Sequence, residues 1–354
     1  MEQIKDYVLS FEIDGQLLEI KTFGNGHIND TFKITTTKND YLFQRINNNV
    51  FKNVEALMDN VYRVCEHIKT KKEANPRQKM GIVLTKQGKT YIQTESGYYR
   101  MYDFVPNTCS VNIPLSNEHF KKGGICFASF AKYLLDFPAH TIYDVIENFH
   151  NTKVRFQNFD KAVKEDVKQR ASKVQDLIDF VYARKDYAGV VVDLIEKGEM
   201  PVRVTHNDTK FNNLLLDKDS KDPVAVVDLD TIMKGSVCYD FGDAIRAGCN
   251  SAEEDEQDLS KVYFDFDKYV AFAQGYVGEL NGLLTQTELD NLAFGCILMT
   301  FECGMRFLTD YLQGDVYFKT HYDEHNAVRT RTQFKLVQDM EKVLDKMKDV
   351  VKNA

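Results

Sequence analysis

The sequence predicts an α+β chain of two unequal parts, a small sheet-bearing part followed by a larger, mostly helical one. Three observations carry this. The first hundred residues hold short runs rich in β-branched and aromatic residues between turn signals, at 7–13, 31–35, 41–46, 81–85, 90–93 and 98–104. One amphipathic stretch, 53–69, interrupts them, with Val54, Leu57, Met58, Val61, Val64, Cys65 and Ile68 on one face. After Phe104-Val105-Pro106-Asn107 the pattern changes to long helical stretches, at 123–135, 158–183, 268–280, 286–313 and 332–352. The boundary therefore falls near Val105, giving an N-terminal part over 1–104 and a C-terminal part over 105–354.

At 354 residues the chain is long enough for both parts to bury a core. A hydrophobic share of 43% and a charged share of 28% are those of an ordinary soluble globular protein. The net charge of −8 argues against a nucleic-acid binder that works through its overall field. The first residues show no basic head followed by an apolar run, and the nearest approach to a spanning segment, 292–305, contains Glu302. A cytoplasmic chain without membrane or nucleic-acid partners is the expectation; its oligomeric state is not legible. The seven cysteines are scattered and lack C-x-x-C spacing, so they read as reduced thiols rather than zinc ligands or disulfides.

The residues that carry chemistry lie in the second part. Val204-Thr205-His206-Asn207-Asp208-Thr209-Lys210-Phe211-Asn212-Asn213 contains H-x-D-x-x-x-x-N. Phosphoryl transfer asks a protein mainly for position: one carboxylate near the attacking hydroxyl, and oxygen ligands for the metal that bridges the nucleotide phosphates. His206 can brace the loop, Asp208 can face the acceptor hydroxyl as base, and Asn213 can turn its amide oxygen to Mg2+. A hairpin follows, with an apolar strand over 213–216, a polar turn over 217–223 and a return strand over 224–227. It delivers Asp228, with Asp230 just beyond, beside Asn213. Such oxygens suit magnesium, which completes its octahedron with phosphate and water. Together these point to a kinase-like bilobal fold whose small lobe is the sheet and its one main helix.

The nucleotide side is more thinly marked. Phe23-Gly24-Asn25-Gly26-His27 lies between two strand candidates, where Gly24 and Gly26 could bring backbone amides close to ATP phosphates. A kinase also uses a strand cation held by a helix carboxylate. Here the strand reads Tyr41-Leu42-Phe43-Gln44-Arg45-Ile46, without lysine. Gln44 and Arg45 point to opposite faces, so only one can face the nucleotide, and charge favours Arg45. Its helix partner would be Glu55 or Asp59. By position, residues 99–105 form the hinge, with Tyr102 and Phe104 beside the adenine. A literal Asp240-Phe241-Gly242 also occurs, but Asp228 ends a strand and Asp240 precedes a helical run, so Asp240 reads as a structural helix cap.

The 204–213 loop, Val226-Val227-Asp228-Leu229-Asp230 and Tyr239-Asp240-Phe241-Gly242-Asp243 resemble the aminoglycoside phosphotransferase and choline kinase superfamily. Within it, Gly26-His27-Ile28-Asn29-Asp30-Thr31-Phe32, Arg306-Phe307-Leu308-Thr309-Asp310-Tyr311 and Gly314-Asp315-Val316-Tyr317-Phe318-Lys319-Thr320 are similar to runs in N-acetylhexosamine 1-kinases. The resemblance spans about residues 23–331. It implies ATP-dependent phosphorylation of the anomeric hydroxyl of N-acetylglucosamine or N-acetylgalactosamine, with Asp208 as base and Asn213 and Asp228 on magnesium. Asp230 would touch a second metal or a sugar hydroxyl, and Arg306 and Tyr317 would line the sugar pocket. The missing third glycine and strand lysine depart from the kinase pattern.

Arg306 also has a structural reading, because Glu302 precedes it by four residues at ion-pair spacing. Three other functions compete. A small-molecule kinase with a cationic acceptor would want an acidic and aromatic pocket, whereas Arg306, Tyr317, Lys319 and Arg329 are basic and aromatic. A protein kinase would carry an A-P-E segment and an arginine at residue 207. A catalytically silent nucleotide-binding scaffold would not need Asp208, Asn213 and Asp228 intact.

Overall fold

The computed structural model describes residues 2–24 and 30–354. It opens with a helix, α1 (Glu2–Leu9), whose last residues take the first three of the strand predicted over 7–13. Ile4, Tyr7 and Val8 share a helical face, and that face covers the outer side of the sheet, which explains the difference. The sheet is antiparallel throughout, in the order β1 (Leu17–Thr22), β2 (Asp30–Thr36), β3 (Asp40–Ile46), β5 (Gly97–Asp103), β4 (Ile92–Thr94). Residues 81–85 contribute only isolated bridges, Ile82 to Tyr102 and Thr85 to Phe11. On the outer face Phe43 stacks on Tyr99 at 5.3 Å and meets Phe11 edge-on at 5.8 Å.

The inner face receives α2 (Val54–Lys69), capped by Asn53, whose side chain accepts from the Ala56 amide at 3.0 Å. Its stripe of Leu57, Val61, Val64, Cys65 and Ile68 is buried in the larger core, which continues into the helical part. That part begins with a short strand β6 (Thr108–Cys109), then α3 (Asn117–Tyr133), α4 (Thr152–Glu165), α5 (Gln175–Tyr182) and α6 (Val190–Glu196). The single helix predicted over 158–183 is thus two, broken where Asp166 turns left-handed at φ 34°. The strands β7 (Arg203–Thr205), β8 (Leu214–Asp217), β9 (Pro223–Val226) and β10 (Met233–Gly235) carry the motif residues between them. Four helices close the fold: α7 (Val237–Gly248), α8 (Phe266–Glu279), α9 (Gln286–Gln313) and α10 (His325–Asn353).

The two longest helices, α9 and α10, pack against each other. A capping box of Thr285 and Glu288 starts α9, and Gly314 at φ 100° ends it. Glu288 also takes two hydrogen bonds of 2.9 Å from Arg203, tying the start of α9 to the strand that enters the catalytic loop. By length and composition α9 could cross a membrane, but 78% of its most apolar window is buried, as in a core helix. It crosses α7 unusually closely: a Cβ on Gly242 would stand 2.3 Å from the Gly295 carbonyl oxygen, and one on Gly295 2.6 Å from that of Cys238. The glycine of Asp240-Phe241-Gly242 is therefore explained by helix packing.

Candidate active site

β7 ends at Thr205, and the chain turns sharply through Asn207, whose φ of 64° is a left-handed conformation that asparagine tolerates better than most residues. Its side chain fixes the turn, donating to the carbonyls of Thr205 at 3.1 Å and Thr231 at 2.9 Å. His206 is fully buried. Its Nε2–H donates to the Val227 carbonyl at 2.8 Å, while Nδ1 accepts from the Asp208 amide at 3.2 Å, which fixes the tautomer. The brace predicted for His206 is thus a link between loop and return strand.

Asp240 holds this loop from α7. Its two oxygens accept the amides of His206 at 2.9 Å and Asn207 at 2.7 Å. It is not the helix cap expected from the sequence, since Ser236 caps α7 and Asp240 lies inside the helix. Burial keeps its carboxyl above the usual carboxylate range. One turn on, Asp243 accepts the Thr209 amide at 3.1 Å and pairs with Arg246 at 2.8 Å. Burial opposes its charge, but Arg246 and Lys210 hold its carboxyl below the usual range.

Asp208 emerges from this scaffold. One oxygen accepts from Asn213 Nδ2 at 3.1 Å, and the other lies 3.1 Å from Lys210 Nζ. The Asp208 charge holds the Lys210 ammonium above its usual range. Lys210 therefore belongs to the site although the sequence reading gave it no role; its place two residues after Asp208 was the available clue. Asn213 also donates to the Asp208 carbonyl at 2.8 Å, so its Nδ2 is committed and its Oδ1 is left as an acceptor.

The hairpin pairs Leu214 with Val226, and the Val227 amide donates to the Asn213 carbonyl at 2.9 Å, bringing Asp228 beside Asn213. Asp228 stands at φ 60°, a left-handed turn that breaks the strand and re-aims its side chain. Its side chain remains reachable by solvent. Desolvation, then the negative charges of Asp230 and Asp208, push its carboxyl up to about 6. A divalent cation would offset that repulsion, and the oxygens of Asn213 and Asp228 are of the hard type magnesium takes. Among the described residues no group of three or more His, Cys, Asp or Glu forms a metal cage. Two protein oxygens, with the rest supplied by phosphate and water, is the pattern magnesium adopts in kinases.

Asp230 is placed differently from the expectation of a metal ligand. It is 3% exposed, and both its oxygens accept from the Arg100 guanidinium, Oδ2 from Nη2 at 3.0 Å. Arg45 is also displaced from its expected role: it lies on the outer side of the sheet, bonded to the Ser96 carbonyl at 2.9 Å and 3.3 Å from Asp30. The alternation of strand side chains turns Gln44, not Arg45, inward. Glu55 is exposed, and Asp59 pairs with Arg63 on its own helix, so neither serves a strand cation. The cation beside Gln44 is Arg100, from β5.

Tyr102 is buried, its ring 5.0 Å from the Arg100 guanidinium. Phe104 meets Phe23 edge-on at 5.6 Å and carries Lys33 over its ring at 4.6 Å. The predicted hinge and the start of the predicted glycine loop are therefore neighbours. Gly24 has φ 78°, a turn that a side chain would strain; Gly26 lies outside the described residues.

Arg306, on α9, is framed by the rings of Phe149 at 5.3 Å, Phe318 at 5.6 Å and Tyr317 at 5.9 Å. The four-residue spacing to Glu302 produces only a 4.0 Å approach. Glu302 is instead committed to His150 Nδ1 at 2.9 Å. Arg155 donates twice to the Phe149 carbonyl nearby, and burial together with the Arg306 charge pulls it below the usual arginine range. Tyr317 and Phe318 ride on a loop whose amides, with that of Val316, all donate to Asp310 at 2.8–3.0 Å. Asp310 was not singled out from the sequence, because nothing local marks an aspartate inside a helix as a loop anchor.

The phosphotransferase enzyme family model matches residues 19–270. Three solved structures illustrate the fold. A microcompartment-associated aminopropanol kinase has a TM-score of 0.59 at 14% identity, covering 98% of each chain. An aminoglycoside phosphotransferase from Alicyclobacillus acidocaldarius has 0.60 at 12%, covering 99% of this chain and 96% of that one. A Plasmodium vivax ethanolamine kinase has 0.56 at 17%, covering 89% and 82%. Identities this low speak for the fold, a protein-kinase-like one, while the family match extends over well more than half of the sequence. With the loop, hairpin and fold in agreement, the chain belongs to the phosphotransferase enzyme family.

Proposed function

We propose that this phosphotransferase is a magnesium-dependent kinase that moves the γ-phosphoryl group of ATP to the anomeric hydroxyl of an N-acetylhexosamine, N-acetylglucosamine or N-acetylgalactosamine. The observation that carries the acceptor class is Arg306. Its side chain is 18% exposed, yet it has no hydrogen bond among the described residues, only the distant Glu302 and three aromatic rings. A mostly buried guanidinium with five donors to satisfy suits a carbonyl or hydroxyl oxygen of a bound acceptor. Arg155 adds a second positive charge, and the carboxylate at this wall, Glu302, is 1% exposed and taken by His150. An ammonium acceptor would meet like charge there. A neutral acylamino sugar would not, and the runs around Arg306 and Tyr317 resemble those of N-acetylhexosamine 1-kinases.

The chemistry follows from the loop. Asp208 takes the proton of the acceptor hydroxyl as its oxygen forms the new bond to the γ-phosphorus; the bond from that phosphorus to the bridging oxygen breaks, and ADP leaves with the electron pair. Asn213 and Lys210 hold the Asp208 carboxylate in place through the transfer. Magnesium, held by Asn213 and Asp228, would supply neutralising charge to the nucleotide phosphates.

ADP release should be measured with ATP, magnesium and a panel of N-acetylhexosamines, hexoses, choline, ethanolamine, aminopropanol and aminoglycosides. The expected result is turnover with an N-acetylhexosamine and a product without a reducing end. Turnover confined to the amine acceptors would overturn the sugar assignment while leaving the kinase intact.

A further inference from the structure

We propose that Arg100 and Asp230 form a buried latch that ties the N-terminal sheet to the catalytic hairpin and thereby positions Asp228, so that neither residue contacts the metal or the nucleotide. The magnesium role of Asp228 is the one given above, and the latch rests on it only in its functional consequence.

The latch is a continuous set of hydrogen bonds across four segments. Thr31 on β2 accepts from Gln44 Nε2 at 3.0 Å. Gln44 Oε1, on β3, accepts from Arg100 Nε at 3.1 Å and Nη2 at 2.9 Å. Arg100, on β5, then grips both oxygens of Asp230 beyond the hairpin. Its Nη1 also approaches Met58 Sδ on α2 at 4.0 Å. Arg100 is 1% exposed and each of its nitrogens is engaged by protein, so it has no donor to offer a phosphate without breaking this set. Both oxygens of Asp230 correspondingly accept from that guanidinium.

A second tie acts on the same short segment. Asn60 of α2, fully buried, donates from Nδ2 to the carbonyls of Ile232 at 3.1 Å and Tyr143 at 2.8 Å, and its Oδ1 accepts the Tyr143 amide at 2.9 Å. Asp228, at φ 60°, leads directly into the single helical turn Leu229–Thr231. Asp230 and Ile232 are thus gripped from the sheet side just beyond Asp228, which leaves that residue little freedom. In the strand-lysine and helix-carboxylate arrangement of protein kinases the ion pair lies within one lobe. Here the carboxylate lies in the turn just after the hairpin, so the pair spans the two parts and the metal ligand is set before nucleotide arrives.

The test is a double-substitution cycle of Arg100→Gln and Asp230→Asn, with two readouts. The first is hydrogen exchange at the amides of residues 228–232 in nucleotide-free, metal-free protein, which reads the latch without any metal. The second is the magnesium concentration needed for half-maximal binding of ADP by calorimetry. Either single change should speed exchange at 228–232 and raise the magnesium requirement about tenfold, and the double change should be no worse than either single, because one shared contact is lost. Because a lone buried charge can unfold the chain, Arg100→Met with Asp230→Leu, which removes both charges, is made as well. It should fold and show the same faster exchange. Unchanged exchange in that variant overturns the latch. So does an Asp230→Asn effect on the magnesium requirement that persists at full size in the Arg100→Gln background, since Asp230 would then be a metal ligand in its own right.

Discussion

The catalytic loop and the loop after α9 are built on the same device, one buried aspartate on a helix accepting successive backbone amides, yet they differ in what they leave free. Asp240 takes the amides of 206 and 207, and Asp310 those of 316, 317 and 318. In the first loop almost everything beyond Asp208 and Lys210 is locked: Thr205, His206, Asn207 and Thr209 are all buried and bonded. In the second the carboxylate's ties to the loop go to the backbone of 316–318 alone, and Val316 and Tyr317 stand 74% and 61% exposed. A rigid loop suits a reaction that needs one carboxylate in one place. A loop with a pinned backbone and open side chains suits recognition of a variable acceptor.

The contrast predicts that changes in the first loop fall on turnover and those in the second on acceptor affinity. Asp208→Asn should have the largest effect, lowering kcat by about 10³-fold while ADP affinity stays within about threefold, because it removes the proposed base but no proposed nucleotide contact. Steady-state rates with ADP calorimetry check this, and an unimpaired enzyme would take Asp208 out of the mechanism. Asp240→Asn comes next. It exchanges an oxygen that accepts an amide for an amino group that cannot, at a site with little room to rearrange. Loss of about 2 kcal/mol in stability and about 10²-fold in kcat is expected, with a smaller change in KM for the acceptor. Urea unfolding and kinetics on one preparation separate the two losses. A variant that loses stability alone would make Asp240 structural only.

Where the two loops stood in the sequence explains what could be read there. The first announces itself, since H-x-D-x-x-x-x-N, the hairpin and the aspartate after it are contiguous and each spacing has a local cause. The sheet-then-helices order was legible for the same reason, from periodicities within single elements. What was missed depends on partners far along the chain. Arg100 lies 130 residues from Asp230, and nothing beside either marks the other. Arg45 carried the right charge but the wrong strand face, and the inward face of β3 is decided by which side α2 covers. Asp240 looked like a cap because helix starts are recognised locally, whereas the amides it accepts lie more than thirty residues upstream. The end of α1, residues 7–9, read as the start of a strand because Tyr7 and Val8 favour sheet, and only docking on the outer face selects the helix.

Smaller effects follow on the acceptor side. Asp310→Ala frees three amides and the Asn326 side chain that also donates to it at 2.9 Å, so the 316–318 loop should lose its fixed path. The acceptor KM should rise about tenfold, with kcat falling less. If kcat fell as far as in Asp240→Asn, the division between the loops would not hold.

The smallest change sharpens it. Under the proposed acceptor role Tyr317 has two groups to contribute, a ring edge-on to Phe318 at 4.8 Å and 5.9 Å from Arg306, and a phenolic hydroxyl. An exposed cation–π contact is worth about 0.5–1 kcal/mol, so Tyr317→Ala should raise the acceptor KM about two- to fivefold through loosening of Arg306. Tyr317→Phe keeps the ring and removes only the hydroxyl. If the ring acts through Arg306, the phenylalanine variant should match the native enzyme within a factor of about two, and Arg306→Lys, which loses the planar fork, should be the worse of the two by far. If Tyr317→Phe instead costs as much as Tyr317→Ala, the hydroxyl itself contacts the acceptor, and specificity rests on a hydrogen bond from the open side of the loop.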